Sequence, residues 1–131
     1  MEIEKIFKNL ILADFIVIIL MVISSMYQPS EISNLYESLN DGLLSNFENF
    51  SRIISISLFF LYLLTLNLLY RFIYYGKPLY LFLVVAGIVV NFFSGSVIYT
   101  AFSGMLDQLG GLISGSILIL LYFSPIKNNF K

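Results

Sequence analysis

The stretch NLILADFIVIILMVISS, Asn9 to Ser25, decides the class of this protein, because it is apolar almost throughout and contains a single carboxylate, Asp14. About 20 apolar helical residues cross a hydrocarbon core about 30 Å thick. We therefore predict a membrane-spanning helix here. We expect it to be retained rather than cleaved as a leader, since no small-x-small site follows it. A carboxylate within a membrane is costly, so Asp14 needs a partner.

The composition of the whole chain agrees with this prediction. Its 131 residues are 59% hydrophobic and only 11% charged, with a mean hydropathy of +0.91, whereas soluble domains are about 45–50% apolar. The sequence predicts an integral membrane protein made of a single domain, residues 1–131. It contains no Cys, His or Trp, so thiol chemistry, imidazole metal sites and a Ser-His-Asp triad are excluded.

Four apolar stretches are long enough to cross a bilayer. Backbone groups in lipid must be satisfied within their own segment, which predicts helices. Gly76 and Pro78 break the chain between two of them, Ser103 is a candidate helix N-cap, and Pro125 stops the last one. The short turns favour antiparallel neighbours. We predict an all-α, polytopic membrane protein, an antiparallel four-helix bundle, with spans near 7–27, 53–75, 79–102 and 104–124.

The loop between the first two spans, residues 28–52, is the longest segment predicted outside the membrane. It is acidic, and Ser30 after Pro29 is a candidate helix N-cap. Apolar residues recur in it at helical spacing, which predicts a short amphipathic helical segment in this outer loop. The residues of this stripe are Ile32, Leu35, Tyr36 and Leu39.

The positions of the basic residues predict the orientation. With a cytoplasmic N-terminus, only Arg52 lies on the outer side, which is a strong positive-inside pattern. We therefore predict a multi-pass protein of the bacterial inner membrane with both termini in the cytoplasm. The scattered charges and a net charge of −1 argue against a nucleic-acid partner. The residues on the cytoplasmic side are Lys5, Lys8, Arg71, Lys77, Lys127 and Lys131.

Asp14 is the main candidate for a functional or structural polar group in the membrane. We predict an intramembrane ion pair between Asp14 and Arg71, which the predicted helix bounds place at similar depth. A solvated acid facing the cytoplasm and a carboxylate on a transport path remain as alternatives. The deep amide Asn67 has two candidate partners, Asn91 and the surroundings of Asp14. We expect no metal and no cofactor.

Small residues repeat at helical spacing on the last two spans. Gly87, Asn91 and Gly95 are spaced i, i+4, i+8, and Gly111 and Gly115 form a GxxxG pair. Small residues let helices approach closely, and an amide can then bond across the interface. We predict that these two faces pack on each other within one chain. Homodimerisation through GxxxG is the alternative.

Two motifs in the C-terminal half carry a resemblance to a known family. They are KPLY at Lys77–Tyr80, where a helix begins, and the run from Ser114-Gly115 to the YFSP of Tyr122–Pro125. In these motifs the chain resembles small uncharacterised four-helix inner-membrane proteins of bacteria, which implies no particular activity. The early acid on the first helix is similar to that of small multidrug transporters. Those proteins have Glu at that place, a Trp and short loops, so drug export is disfavoured.

The sequence favours function through association rather than catalysis. We predict a non-enzymatic protein that binds a protein partner within the lipid bilayer, as an accessory subunit or as an immunity-type protein that blocks a membrane-acting toxin. The alternative is a small oligomeric transporter or channel that uses Asp14 as a proton or cation site. A holin-like pore is a third possibility. An enzyme is disfavoured because acid-base and nucleophilic residues are absent or unpaired.

Overall fold

The computed structural model of the chain describes residues 2–27, 29–40, 45–93 and 99–131. The regular elements of these residues are all helical, which confirms the predicted all-α class. The segment between the first two predicted spans contains a helix, as its apolar stripe indicates. The elements are α1 Glu2–Met26, α2 Ser30–Asn40, α3 Ser45–Tyr70, α4 Gly76–Phe93, α5 Ala101–Phe123 and a 3-10 helix Pro125–Asn129.

Three of the described helices are long and apolar enough to cross a membrane: Glu2–Met26, Ile53–Tyr70 and Ala101–Phe123. The fourth apolar helix is shorter: α4 is Gly76–Phe93 and its apolar part is Gly76–Phe92, whereas the prediction for this span was 79–102. Residues 94–98 of that predicted span lie outside the described residues. The expectation of a membrane protein is therefore supported by three helices, and the fourth crossing stays a prediction.

The bounds of α1 and α3 differ from the predicted ones. Helix α1 begins at Glu2, so Asp14 is its midpoint, equally far from Glu2 and Met26. Helix α3 ends at Tyr70 rather than at residue 75. It ends there because Phe72 adopts a left-handed backbone conformation with φ 56°, and the N–H of Ile73 donates to the carbonyl of Leu68 at 3.0 Å. This pairing is the one that closes helix C-termini.

The turn from α3 to α4 depends on Gly76, which is buried. A Cβ atom added at Gly76 would lie 3.1 Å from Leu69 Cδ2 and 3.2 Å from the Leu69 nitrogen. Gly76, the first residue of α4, therefore packs directly against the end of α3. At the start of α5, the N-cap is Thr100 rather than the predicted Ser103, because the Thr100 hydroxyl accepts from the Ser103 N–H at 3.1 Å.

The hydrophobic core is concentrated at one end of the bundle, which we call the packed half. It combines the first part of α1, the end of α3, the start of α4 and the end of α5. Helix α1 packs against α5 and α3, while α3 packs against α4. The buried residues of the packed half are Phe7, Ile11, Leu66, Leu69, Tyr80, Ile117, Leu121, Ile126 and Phe130.

Residues Pro125–Lys131, which we call the C-terminal cap, cover the end of the packed half. The N–H of Tyr74 donates to the Lys131 carbonyl at 2.9 Å, and the N–H of Lys131 donates to the Phe72 carbonyl at 3.1 Å. The ring of Phe130 lies edge-on to Phe7 and Phe72, with centroids 6.1 and 5.3 Å away. Pro125 thus ends α5, as predicted, and begins a segment that packs on α1 and on the α3–α4 turn.

Candidate functional site

The carboxylate of Asp14 is bound by a tyrosine. Asp14 is only 1% exposed, and the Tyr62 hydroxyl donates to its Oδ2 at 2.6 Å. Distances of about 2.5–2.7 Å are typical of O–H···O⁻ bonds, which are stronger than bonds between neutral groups. Tyr62 lies near the middle of the apolar part of α3, Ile53–Tyr70. Asp14 therefore meets Tyr62 at the centre of α1 and near the centre of the apolar part of α3.

Two further hydroxyls surround Tyr62. The Tyr80 hydroxyl oxygen lies 3.2 Å from that of Tyr62, and Ser114 Oγ lies 3.4 Å from it. A phenol has one proton. The Tyr62 hydroxyl is directed at Asp14 Oδ2 at 2.6 Å and, at the longer distance of 3.2 Å, at the Tyr80 oxygen, so the shorter bond to Asp14 uses its proton. We call these four residues the Asp14 cluster, and α1, α3, α4 and α5 each contribute one of them.

The structure does not bring Asp14 and Arg71 together. Arg71 is exposed in the turn that follows α3, whereas Asp14 is at the centre of α1. The difference arises from the helix bounds, because an α3 that ended at residue 75 would have held Arg71 inside the helix. Among the described residues, the groups that hydrogen-bond the Asp14 carboxyl group are the tyrosines Tyr62 and Tyr80 rather than Lys or Arg.

A cavity of about 610 Å³ begins at the Asp14 cluster and extends away from the packed half. We call this part of the bundle the open half. Asp14, Tyr62 and Ser114 line the inner end of the cavity, and Leu58 and Val84 belong to its apolar wall. Ligand sites of small molecules have volumes of about 300–1,000 Å³. The polar residues nearer the far end are Ser55, Asn91 and Asp107.

The glycines predicted to pack helices together line this cavity instead. A Cβ atom added at Gly87, Gly111 or Gly115 would meet no atom within 4 Å. The predicted contact between the small-residue faces of α4 and α5 is therefore not formed at these positions. Gly95 lies outside the described residues. Packing of the GxxxG pair against a second copy of the chain stays a prediction.

The two asparagines predicted as polar packing residues lie in different places. Asn91 is exposed and lies on the cavity wall. Asn67 is exposed near the end of α3 and is not among the described wall residues of the cavity. No side-chain hydrogen bond joins the two amides in the described structure. The pairing of Asn67 with Asn91, or with the Asp14 cluster, is thus not observed.

The far end of the cavity is also acidic. Asp107, in the first turns of α5, is exposed and lines the cavity. The acidic residues of the described cavity wall are Asp14 and Asp107, and the described wall includes no Lys or Arg.

The comparisons with known proteins leave the site to be interpreted from its geometry. No protein-family model, curated protein or solved structure matches this chain. The resemblance to small bacterial inner-membrane proteins therefore stays a prediction.

Proposed function

We propose that the chain is an antiparallel four-span bundle of the bacterial inner membrane with both termini in the cytoplasm. The apolar composition of α4 and the contact between the Tyr122 hydroxyl and the Lys77 carbonyl at 3.4 Å support a fourth crossing beside α5. The positive-inside pattern supports the orientation. The packed half then lies toward the cytoplasm, and the open half faces the outside.

Single cysteines test this topology, because the chain has none of its own. We expect a membrane-impermeant maleimide to label Glu31→Cys on intact cells. Asn128→Cys, in the C-terminal cap, should be labelled only after the cells are permeabilised. Labelling of Asn128→Cys from outside would contradict the proposed orientation.

Within this topology, the proposed function is non-enzymatic association with a membrane protein partner, as an accessory subunit or an immunity-type protein. The observation that carries this proposal is the unfilled space beside Gly87, Gly111 and Gly115. Membrane helices associate through small residues that let another surface approach closely. In the part of the chain that the structure describes, no atom lies within 4 Å of a Cβ added at these glycines, so α4 and α5 offer a surface on which a partner can pack.

Co-purification in a mild detergent tests the association. We expect a stable complex with the wild-type chain and its loss with Gly115→Leu, which adds bulk to the small-residue wall. The matched control is Ser116→Leu, because Ser116 is the next residue on α5, is outside the described cavity wall and bonds to the Leu112 carbonyl of its own helix. Recovery of the wild-type chain without any partner, even after cross-linking in cells, would contradict the proposal.

One observation favours a second function, a small oligomeric transporter or channel with Asp14 as its proton or cation site. The cavity reaches the Asp14 carboxylate at the centre of α1, about 18 Å from either helix end at 1.5 Å per residue. Isolated acids inside spans mark ion paths in many membrane proteins. Flux into proteoliposomes that Asp14→Asn abolishes and Glu31→Gln leaves unchanged would support this function. Equal flux in both variants would remove Asp14 from the mechanism.

A further inference from the structure

We propose that the start of α4 and the C-terminal cap together form a binding site for an anionic phospholipid, whose phosphate lies between the ammonium groups of Lys77 and Lys127. The site goes beyond the association proposed above, because its ligand is a lipid and because it lies at the packed half, away from the cavity. It rests on the proposed topology only in placing this end of the bundle at a bilayer surface. The ligand class follows from the charges, the contacts and the apolar surroundings of the two lysines.

The end of the packed half is basic. Glu2 and Glu4 are its acids, and Glu4 accepts a hydrogen bond from Asn129 rather than from a cation. Within the described ranges of the chain, none of the cations at this end forms an ion pair with a carboxylate. The positive charge is therefore left to attract an anion from outside the chain. The cations are Lys5, Lys8, Arg71, Lys77, Lys127 and Lys131.

Lys77 and Lys127 are held together by a direct contact. The Lys77 ammonium donates to the Lys127 carbonyl and lies 4.4 Å from the ring centroid of Phe130. An ammonium group has three donors, and the described hydrogen bond uses one of them. The contact brings Lys77, in the first turn of α4, next to the exposed Lys127 of the C-terminal cap. Two positive residues thus meet at one place, and an anion between them would offset their repulsion.

The environment of Lys8 is different. Its ammonium lies 5.3 Å from the ring centroid of Tyr70 and 5.2 Å from that of Phe72. The described contacts of Lys8 are thus with aromatic faces, which attract a cation, rather than with a second cation. A phosphate is bound by lysines acting as point charges, so two lysines in contact make the better site. This difference selects Lys77 and Lys127.

The surroundings of the pair favour a lipid over a soluble phosphate. The Tyr122 hydroxyl lies 3.4 Å from the Lys77 carbonyl, so the end of α5 lies beside the start of α4. Close to the lysines along these helices, Phe82 and Phe123 are 60% and 86% exposed and offer apolar surface to acyl chains. Basic pockets between spans on the cytoplasmic side bind anionic lipid headgroups. A phospholipid uses both the cations and this apolar surface, whereas a soluble anion uses the cations alone.

The test is native mass spectrometry of the delipidated full chain in a neutral detergent, titrated with phosphatidylglycerol. Phosphatidylcholine is the matched probe, because it has the same phosphodiester and acyl chains but no net charge. Glycerol 3-phosphate in excess distinguishes the two sources of phosphate, since it has no acyl chains. We expect phosphatidylglycerol to bind at least tenfold more tightly than phosphatidylcholine, and glycerol 3-phosphate not to displace it.

Lys127→Gln is the decisive variant, because Lys77 bonds to the backbone carbonyl of Lys127 and not to its side chain. It should weaken phosphatidylglycerol binding about fivefold, which corresponds to about 1 kcal/mol for one lysine, and leave phosphatidylcholine binding unchanged. Lys5→Gln is the matched control, since it removes the same charge from an exposed position of α1, and it should bind as the wild type does. Unfolding followed by circular dichroism without lipid should give the same midpoint for Lys127→Gln and the wild type, which separates loss of the lipid from loss of the fold.

Three results would overturn the proposal. Equal affinities for the two lipids, or equal losses in Lys127→Gln and Lys5→Gln, would mean that no charged site exists at the pair. Displacement of the lipid by glycerol 3-phosphate would assign the pair to a soluble phosphate. Failure of the association or of the topology is distinguishable from these results: Gly115→Leu should lose the protein partner but keep the lipid, and labelling of Asn128→Cys from outside would leave the affinities in detergent unchanged.

Discussion

The packed half and the open half are built from the same helices, yet one is filled with side chains and the other contains a cavity. In the packed half, Phe7, Leu69 and Ile117 are completely buried. In the open half, Gly87 and Gly111 face space that no neighbouring atom fills. Both halves are apolar, so hydropathy alone does not distinguish them. The size of the side chains that face inward decides which half is filled and which half contains the cavity.

The Asp14 cluster lies at the boundary between the two halves. Tyr80 belongs both to this cluster and to the hydrophobic core of the packed half, while Asp14 and Ser114 also line the cavity. The packed half therefore supports the base of the candidate site from one side. This arrangement assigns stability mainly to the packed half and the candidate site to the open half, and the following substitutions test how stability is divided between the two halves.

The largest expected effect is that of Phe7→Ala in the packed half. Phe7 is fully buried and contacts the rings of Phe72 and Phe130, so its loss leaves a void and should lower the free energy of unfolding by about 3–5 kcal/mol. The matched control in the open half is Phe59→Ala, which removes the same side chain from a wall that already borders empty space. Titration with a denaturing detergent, followed by circular dichroism, measures both. Equal losses of unfolding free energy in the two variants would contradict the assignment of stability to the packed half.

The second effect is the coupling between Asp14 and Tyr62. A double-mutant cycle with Asp14→Asn and Tyr62→Phe should give a coupling free energy of about 1–2 kcal/mol, because a hydrogen bond to a charged group is stronger than an average one. The same cycle with Asp14→Asn and Arg71→Gln should give a value near zero, since Arg71 is exposed outside α3. A large Asp14–Arg71 coupling would restore the predicted ion pair.

Third, alanine substitutions at two different glycines should change the stability in opposite directions. Gly76→Ala should destabilise the chain by about 1 kcal/mol, because the new Cβ would press on Leu69 at 3.1–3.2 Å. Gly111→Ala should stabilise it by about 0.5–1 kcal/mol, since its Cβ meets nothing within 4 Å and alanine favours the helix. Parallel unfolding curves of the two variants check the signs. Destabilisation by Gly111→Ala would mean that the open half is filled.

The smallest effect concerns the C-terminal cap. The Lys77 ammonium lies 4.4 Å from the ring centroid of Phe130 and donates to the Lys127 carbonyl. Lys77→Met keeps most of the aliphatic length but removes the charge, and should lower stability by about 0.5–1 kcal/mol. Lys5→Met, at an exposed position of α1, is the control and should change little. Identical unfolding midpoints for both variants would mean that the cation–π contact between Lys77 and Phe130 does not contribute to stability.

The sequence predicted the positions of the helices better than the side-chain contacts between them. Long apolar runs predicted α1, α3 and α5, because a membrane demands such runs whatever their neighbours are. The end of α3 was missed because it depends on Phe72, whose left-handed conformation carries no Gly or Asn signal. That error shifted Arg71 into the span. The predicted ion pair followed from these bounds rather than from the chemistry of Asp14.

The partner of Asp14 was missed for a related reason. Tyr62 looks like one more apolar aromatic in a hydrophobic run, and only its position at the centre of that run matches the depth of Asp14. The signal available in the sequence was the equal depth of Tyr62 and Asp14 on two neighbouring spans, because a tyrosine hydroxyl can donate a hydrogen bond to a carboxylate. The cavity could not have been predicted, because glycines at helical spacing are equally consistent with close packing and with empty space.

The C-terminal cap has a consequence for the order in which the molecule assembles. Phe7 contacts Phe130, and Glu4 accepts a hydrogen bond from Asn129 at 3.1 Å. At about 5–20 residues per second, the ribosome needs on the order of ten seconds to progress from the first of these partners to the last. During that interval the base of α1 can already pack against Phe72, but it lacks the contacts that Asn129 and Phe130 add, so the C-terminal cap closes over a pairing of α1 and α3 that is made first.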